Sequence, residues 1–126
     1  NAFDFLKRES EAVRNGADPK WDLIILDPPS FTRNKKSLGG AMRGYKEIHL
    51  RAMQMLPVGG VLSTFCCSHH ASAAIFKQTI ADAAVDGHCT LRLVKSHGQS
   101  PDHPVLLNIP ETEYLKGYTF EMVPGR

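Results

Sequence analysis

Apolar positions recur along the chain in two rhythms that alternate. In residues 2–15, Phe3, Leu6, Ser10 and Val13 keep a three-to-four-residue spacing while Lys7, Arg8 and Glu11 fill the other side, which predicts a helix stopped by Asn15-Gly16. The run WDLIILDPPSF at 21–31 has a different character. Leu23 to Leu26 are consecutive bulky aliphatics, suited to a short strand covered on both faces. Pro28 and Pro29 end it, because proline has no N–H for the ladder. Residues 45–56 return to helical spacing, with Ile48, Ala52 and Met55 or Leu56 on one face, and Pro57 and Gly59-Gly60 close them. Residues 61–65 read as a second buried strand. A third helix is expected over 71–85, with Ala73, Phe76, Ile80 and Ala83 or Ala84 facing a sheet. Strands are then expected at 90–95, 105–109 and 118–123, with 110–114 irregular.

Helix, strand, helix, strand, helix, strand, loop and strand in that order predict an α/β fold, a mostly parallel sheet with helices outside. The last strands lack a full crossover helix between them, which allows an antiparallel edge strand. Two parallel neighbours place their carboxyl ends on one rim, so Asp27 and the stretch Cys66 to Ser68 should face one cleft, the edge at which open α/β sheets hold ligands. Between Phe31 and Tyr45 the chain has no periodicity. A connection of that length is often a functional loop, with Gly40 and Gly44 as candidate hinges.

Composition narrows the class. A chain of 126 residues, 42% hydrophobic, holds one domain with a modest core. No apolar run approaches the ~20 residues that span a bilayer, and no secretory signal pattern is visible, so no membrane association is expected. The first residue is Asn1, which suggests processing upstream or a piece of a longer protein. Three cysteines, two of them adjacent, make no disulfide framework and point to a reducing, cytoplasmic setting. The net charge of +2 is compatible with RNA without indicating it. Arg33, Lys35, Lys36 and Arg43 do form a one-sign cluster directly after DPPSF, either a solvated loop or one that contacts phosphate.

Candidate chemistry gathers at the two strand ends. Asp27, locked by two prolines, is preorganised to accept a hydrogen bond from a base edge, although a rigid strand exit would look the same. Phe31 either stacks on a flat substrate or packs under its loop. Cys66, Cys67, His69 and His70 suggest zinc, but adjacent ligands seldom converge on one tetrahedral centre and no second C-x2-C follows, so no metal is expected. One of the two cysteines is a candidate nucleophile near a helix start. Asp102-His103 is a possible dyad within a structured loop. No G-x-G-x-x-G or P-loop occurs, so the chain shows no complete cofactor site by itself.

LDPPSF at 26–31, RGYKEIH at 43–49, the GG-x-L-x-T-F-x-CS pattern at 59–68, DHP at 102–104 and YLKG at 114–117 together give a resemblance. The chain resembles the class I S-adenosylmethionine-dependent methyltransferases, and among them the large-subunit rRNA cytosine-C5 methyltransferase family, over essentially its whole length. The resemblance implies a partial Rossmann-like methyltransferase sheet. Residues 1–126 would be the carboxyl-terminal part of the catalytic domain, with 21–26 as its fourth strand. The glycine-rich cofactor loop and an RNA-binding domain of PUA type would lie upstream.

The same resemblance implies the chemistry. S-adenosyl-L-methionine would be the methyl donor, held in part by Asp27 and Pro28. Asn1 stands where the family has an acid near the cofactor's adenine. Cys67 falls on the family's nucleophile, which adds to C6 of cytosine so that C5 can take the methyl group. Asp27 would hold the base, Pro28 and Pro29 would shape the pocket and Phe31 would stack. Arg33, Lys35, Lys36 and Arg43 would approach the phosphates of large-subunit rRNA. A guanine N-methyltransferase is the near alternative, although ring-nitrogen methylation needs no cysteine. A half-domain inert by itself, pairing through an exposed sheet edge or forming a homodimer, is the alternative of another class.

Overall fold

The computed structural model describes residues 1–30 and 35–125, the side chain of Lys35 excepted. Helix α1 (Ala2–Arg14) starts at Asn1, whose side-chain oxygen accepts from the Asp4 N–H at 3.0 Å. Strand β1 (Leu23–Leu26) follows, then a single 3-10 turn (Lys35–Ser37) that runs into helix α2 (Leu38–Met55). Strand β2 (Val61–Cys66), helix α3 (Ala73–Asp86) and strand β3 (Thr90–His97) come next, and strand β4 (Lys116–Val123) completes the sheet. Gly59 takes a φ of +88° in the turn entering β2, a conformation that a side chain would strain, and its N–H reaches Met122 O at 2.7 Å.

The sheet order is β1-β2-β4-β3. β1 pairs parallel to β2, while β4 is antiparallel to both of its neighbours, so β1, β2 and β3 all run one way. The antiparallel strand is the expected last one. It lies one place in from the edge, between β2 and β3, which leaves β3 as the edge on that side.

Alternate residues of the central strands build the core. Leu62, Thr64 and Cys66 of β2 and Tyr118, Phe120 and Met122 of β4 are buried on one face. Tyr45, Ile48, His49 and Ala52 of α2 and Phe76, Ile80 and Ala83 of α3 are buried as well, as the helical spacing predicts. Phe76 sets its ring edge against Tyr45 and His49 and stacks on Tyr118 at 6.1 Å. α1 joins through α2, where Arg51 donates to Ser10 and pairs with Glu47 at 2.9 Å.

Three expectations change. Residues 105–109 form no strand; they sit between Pro104 and Pro110, and the turn from Leu106 to Ile109 closes on itself through a 2.9 Å backbone bond. β1 is not covered on both faces, since it is an edge strand whose Leu23 and Ile25 are 53% and 63% exposed. The connection before Tyr45 is shorter than expected, because α2 already includes Gly39, Gly40 and Gly44 and buries Ala41 one turn ahead of Tyr45.

Candidate functional site

The parallel register places Leu26 beside Thr64, so Asp27 leaves the sheet on the rim from which β2 continues to Cys66 and Cys67. Strand alternation separates the two thiols. Cys66 is fully buried and its sulfur lies 3.5 Å from the Tyr45 hydroxyl, whereas Cys67 is exposed at the rim. Asp27 and Pro29 are exposed and Pro28 is half-buried.

A polar pair inside the core supports this strand end. His49 is fully buried, with Nδ1 at 2.6 Å from the Tyr45 carbonyl and Nε2 at 2.5 Å from the Thr64 hydroxyl. A carbonyl only accepts, so Nδ1 carries the proton and Nε2 accepts from Thr64. Burial lowers the His49 pKa to about 4, against a smaller opposing effect of the Tyr45 carbonyl, and the ring is neutral at pH 7.

The turn after Cys67 is held from β4. Lys116 lies opposite Cys66 in the antiparallel register, and its Nζ donates to the carbonyls of Ser68 and, at 2.5 Å, Ala71. Burial pulls Lys116 below the ordinary lysine range, while the nearby Cys66, Cys67 and Glu113 act in the opposite sense. Buried Ser68 accepts from the His70 N–H at 3.3 Å, and the rings of His69 and His70 lie 4.0 Å apart. The histidines precede α3 without capping it; Ser72 does that, accepting from Ile75 N–H at 3.1 Å.

The other candidates disperse. Lys36 and Arg43 are both exposed and border a cavity of about 550 Å³ together with Phe3 and Ala41, so part of the basic cluster shares one recess with the start of α1. Phe31 and Arg33 lie outside the described residues, as does the side chain of Lys35. The side-chain oxygen of Asn1 is engaged in capping α1. Asp102 and His103 approach at 3.8 Å, both exposed, but their other bonds hold their own loop. The Ser100 hydroxyl donates to Asp102 and lowers its pKa, and the Tyr114 hydroxyl shares a 2.8 Å hydrogen bond with His103. Among the described residues no three His, Cys, Asp or Glu side chains gather as a metal site. No helix among them is long and apolar enough to cross a membrane.

The sequence reading missed Lys116 and the His49–Thr64 pair. For the first the available signal was its place in YLKG at 114–117, just ahead of the expected strand at 118–123. For the second the signal was a histidine on the apolar stripe Tyr45, Ile48, Ala52.

No family model matches the chain. Its sequence is 46% identical over 104 residues to Ribosomal RNA large subunit methyltransferase I of Erwinia tasmaniensis, covering 82% of this chain and 26% of that protein. The protein of the same name from Aliivibrio fischeri (strain MJ11) is 42% identical over 120 residues, 95% of this chain and 30% of its own length. The chain thus spans less than a third of the curated relatives it matches. Among solved structures, one described as a methyltransferase complexed with SAH superposes with a TM-score of 0.74 at 24% identity, covering 96% of this chain and 30% of that one. Another, described as a SAM-dependent methyltransferase from Streptococcus mutans, gives 0.73 at 21%, covering 96% and 29%. At these identities the structural likeness concerns the fold.

Proposed function

We propose, for a chain that belongs to the ribosomal RNA large subunit methyltransferase I family, that it is the carboxyl-terminal part of the catalytic domain of a cytoplasmic enzyme that methylates C5 of a cytosine in large-subunit rRNA. The observation that carries this reading is the rim itself. A rigid acid, Asp27, and an exposed thiol, Cys67, leave adjacent parallel strands on the same side, while the neighbouring thiol is sequestered in the core.

Cytosine C5 is a weak nucleophile. Attack of the Cys67 thiolate on C6 forms an S–C6 bond and moves the ring's double-bond electrons to C5, which can then accept a methyl group. Loss of the C5 proton to a base breaks the S–C6 bond and restores the ring. Asp27 accepts from the base's amino or N–H edge and orients it, with Pro28 and Pro29 fixing the carboxylate's exit from the sheet. Phe31 stacks on the base, and Arg33, Lys35, Lys36 and Arg43 approach phosphates. Lys116 holds the turn that presents Cys67.

S-adenosyl-L-methionine would supply an electrophilic methyl group. The residues present fit one side of it. Asp27 with Pro28 stands at the carboxyl end of β1, and Phe3 and Ala41 border an open recess of about 550 Å³ beside the start of α1. Asn1 would contribute through its amide NH2, since its oxygen is engaged in the helix cap.

The test is methyl transfer by the full-length protein. Cys67→Ser should lower turnover at least about 1,000-fold with cofactor binding unchanged, and Cys66→Ser should retain it. Asp27→Asn should reduce transfer more than cofactor affinity. Near-normal turnover in Cys67→Ser would overturn the nucleophile assignment and favour ring-nitrogen methylation.

A second reading has its own observation. Leu23 and Ile25 are exposed on an edge strand, which suits a half-domain that associates with a partner or a second copy before it is active.

A further inference from the structure

A cavity of about 690 Å³ is lined in part by His69, Ala71 and Ser72, just after Cys67. Its polar wall includes Lys77, His97, Gln99 and Lys116, and its outer wall is Leu106 and Leu107. Glu113, Lys77 and Lys116 are the acidic and basic side chains that line it.

The loop forming the outer wall is ordered with its polarity reversed. Gln99 accepts from the backbone N–H of Tyr114 at 2.7 Å and of Leu115 at 3.2 Å, and donates to His103 O at 2.7 Å. The Thr112 hydroxyl accepts from Leu106 N–H at 2.8 Å and donates to Ile109 O at 2.7 Å. Polar side chains thus hold the loop's own backbone, while Val105, Leu106 and Ile109 are more than two-fifths exposed and Leu107 is 97% exposed. A hydrogen-bonded loop that turns four aliphatics outward beside a cavity edged by Lys77 presents a binding surface.

We propose that this cavity binds an unpaired nucleotide of the RNA substrate, its base against the Leu106–Leu107 lip and its phosphate toward Lys77. Three features select this occupant over a protein segment. A nucleobase has apolar faces, which match the exposed Leu106–Leu107 lip, whereas Gln99 is committed to the loop's backbone and His97 to the Thr119 hydroxyl. The exposed ammonium of Lys77 matches a phosphate, while Lys116 is engaged by the Ser68 and Ala71 carbonyls. The cavity also shares the Ser68–Ala71 turn with Cys67 through Lys116, so one strand of RNA can reach both places. The proposal deepens the RNA methyltransferase reading and rests on it for the identity of the strand.

The test compares Leu107→Asp, Lys77→Met and wild type in the full-length protein, using a single-stranded oligocytidylate as binding probe and rRNA as methyl acceptor. Leu107 and Lys77 are exposed, and methionine keeps an apolar chain where the Lys77 ammonium lies 5.4 Å from the Tyr118 ring centroid, so thermal melts of both variants should match wild type. Each variant should weaken oligocytidylate binding about tenfold and raise KM for rRNA similarly, with kcat within about twofold. Lys77→Met should also flatten the salt dependence, which a lost apolar contact does not do. Unchanged affinity and KM alongside normal methylation would overturn the nucleotide site and leave the methyltransferase reading intact. Loss of stability in Leu107→Asp with RNA binding unchanged would overturn it in favour of a protein segment covering the loop. Oligocytidylate binding that depends on Leu107 and Lys77 in a protein that methylates no RNA would sustain the site and remove the methyltransferase reading.

Discussion

At the residue scale, His49 connects sequence, fold and pH. A histidine on an apolar helical stripe is legible as a buried group, but its partner Thr64 is not, because the pairing depends on α2 crossing β2. Its folded pKa of about 4 lies below the unfolded value of about 6.5, so the unfolded chain binds more protons between these values. Stability is therefore complete above pH 6.5 and falls as the pH drops toward 4, by about 3 kcal/mol from this group. Urea titrations from pH 7 to 4.5 should show this slope, and His49→Gln should be less stable at pH 7 yet lose that part of the pH dependence. A slope unchanged in the variant would assign the acid sensitivity to other groups. The two cysteines teach a similar lesson. Period-two alternation separates Cys66 from Cys67 in the sequence, but only the strand's place in the sheet decides that Cys66 is the one pointing into the core.

At the element scale, the helices and central strands were legible because their apolar spacing is long and regular. The errors fall where local pattern and tertiary position part. LIIL reads as a strand buried on both faces, and it is a strand, yet edge position exposes Leu23 and Ile25. VLLNI at 105–109 has strand composition without a neighbour to pair with, and flanking prolines leave it a loop. Gly40 and Gly44 suggested hinges, but Ala41 and Tyr45 carry the buried stripe of α2 one turn further toward the amino terminus than glycine content implies. The edge of β1 carries a prediction of its own. Ile25→Lys places a charge on an apolar edge, the device that keeps strand edges from pairing. Sedimentation of the isolated chain should show concentration-dependent association that this substitution suppresses, and association unchanged by Ile25→Lys would locate the contact elsewhere.

At the scale of the whole molecule, the carboxyl ends of β1 and β2 and the amino end of the antiparallel β4 meet on one rim. The candidate site was legible to the extent that motifs sit at strand ends: Asp27 and Cys67 follow directly from where LIIL and VLSTF stop. Lys116 and the leucine-lipped cavity were hidden, because both depend on β4 lying between β2 and β3. The central claim is the covalent step at Cys67, and a fluorine at C5 addresses it directly. Fluorine cannot leave C5 as a proton does, so the S–C6 bond should persist after methyl transfer. Full-length protein incubated with S-adenosyl-L-methionine and 5-fluorocytosine-containing rRNA should yield a stable protein–RNA adduct, with mass spectrometry locating the nucleotide on the peptide bearing Cys67. Methylation of normal rRNA with no such adduct, or an adduct on another residue, would contradict the account.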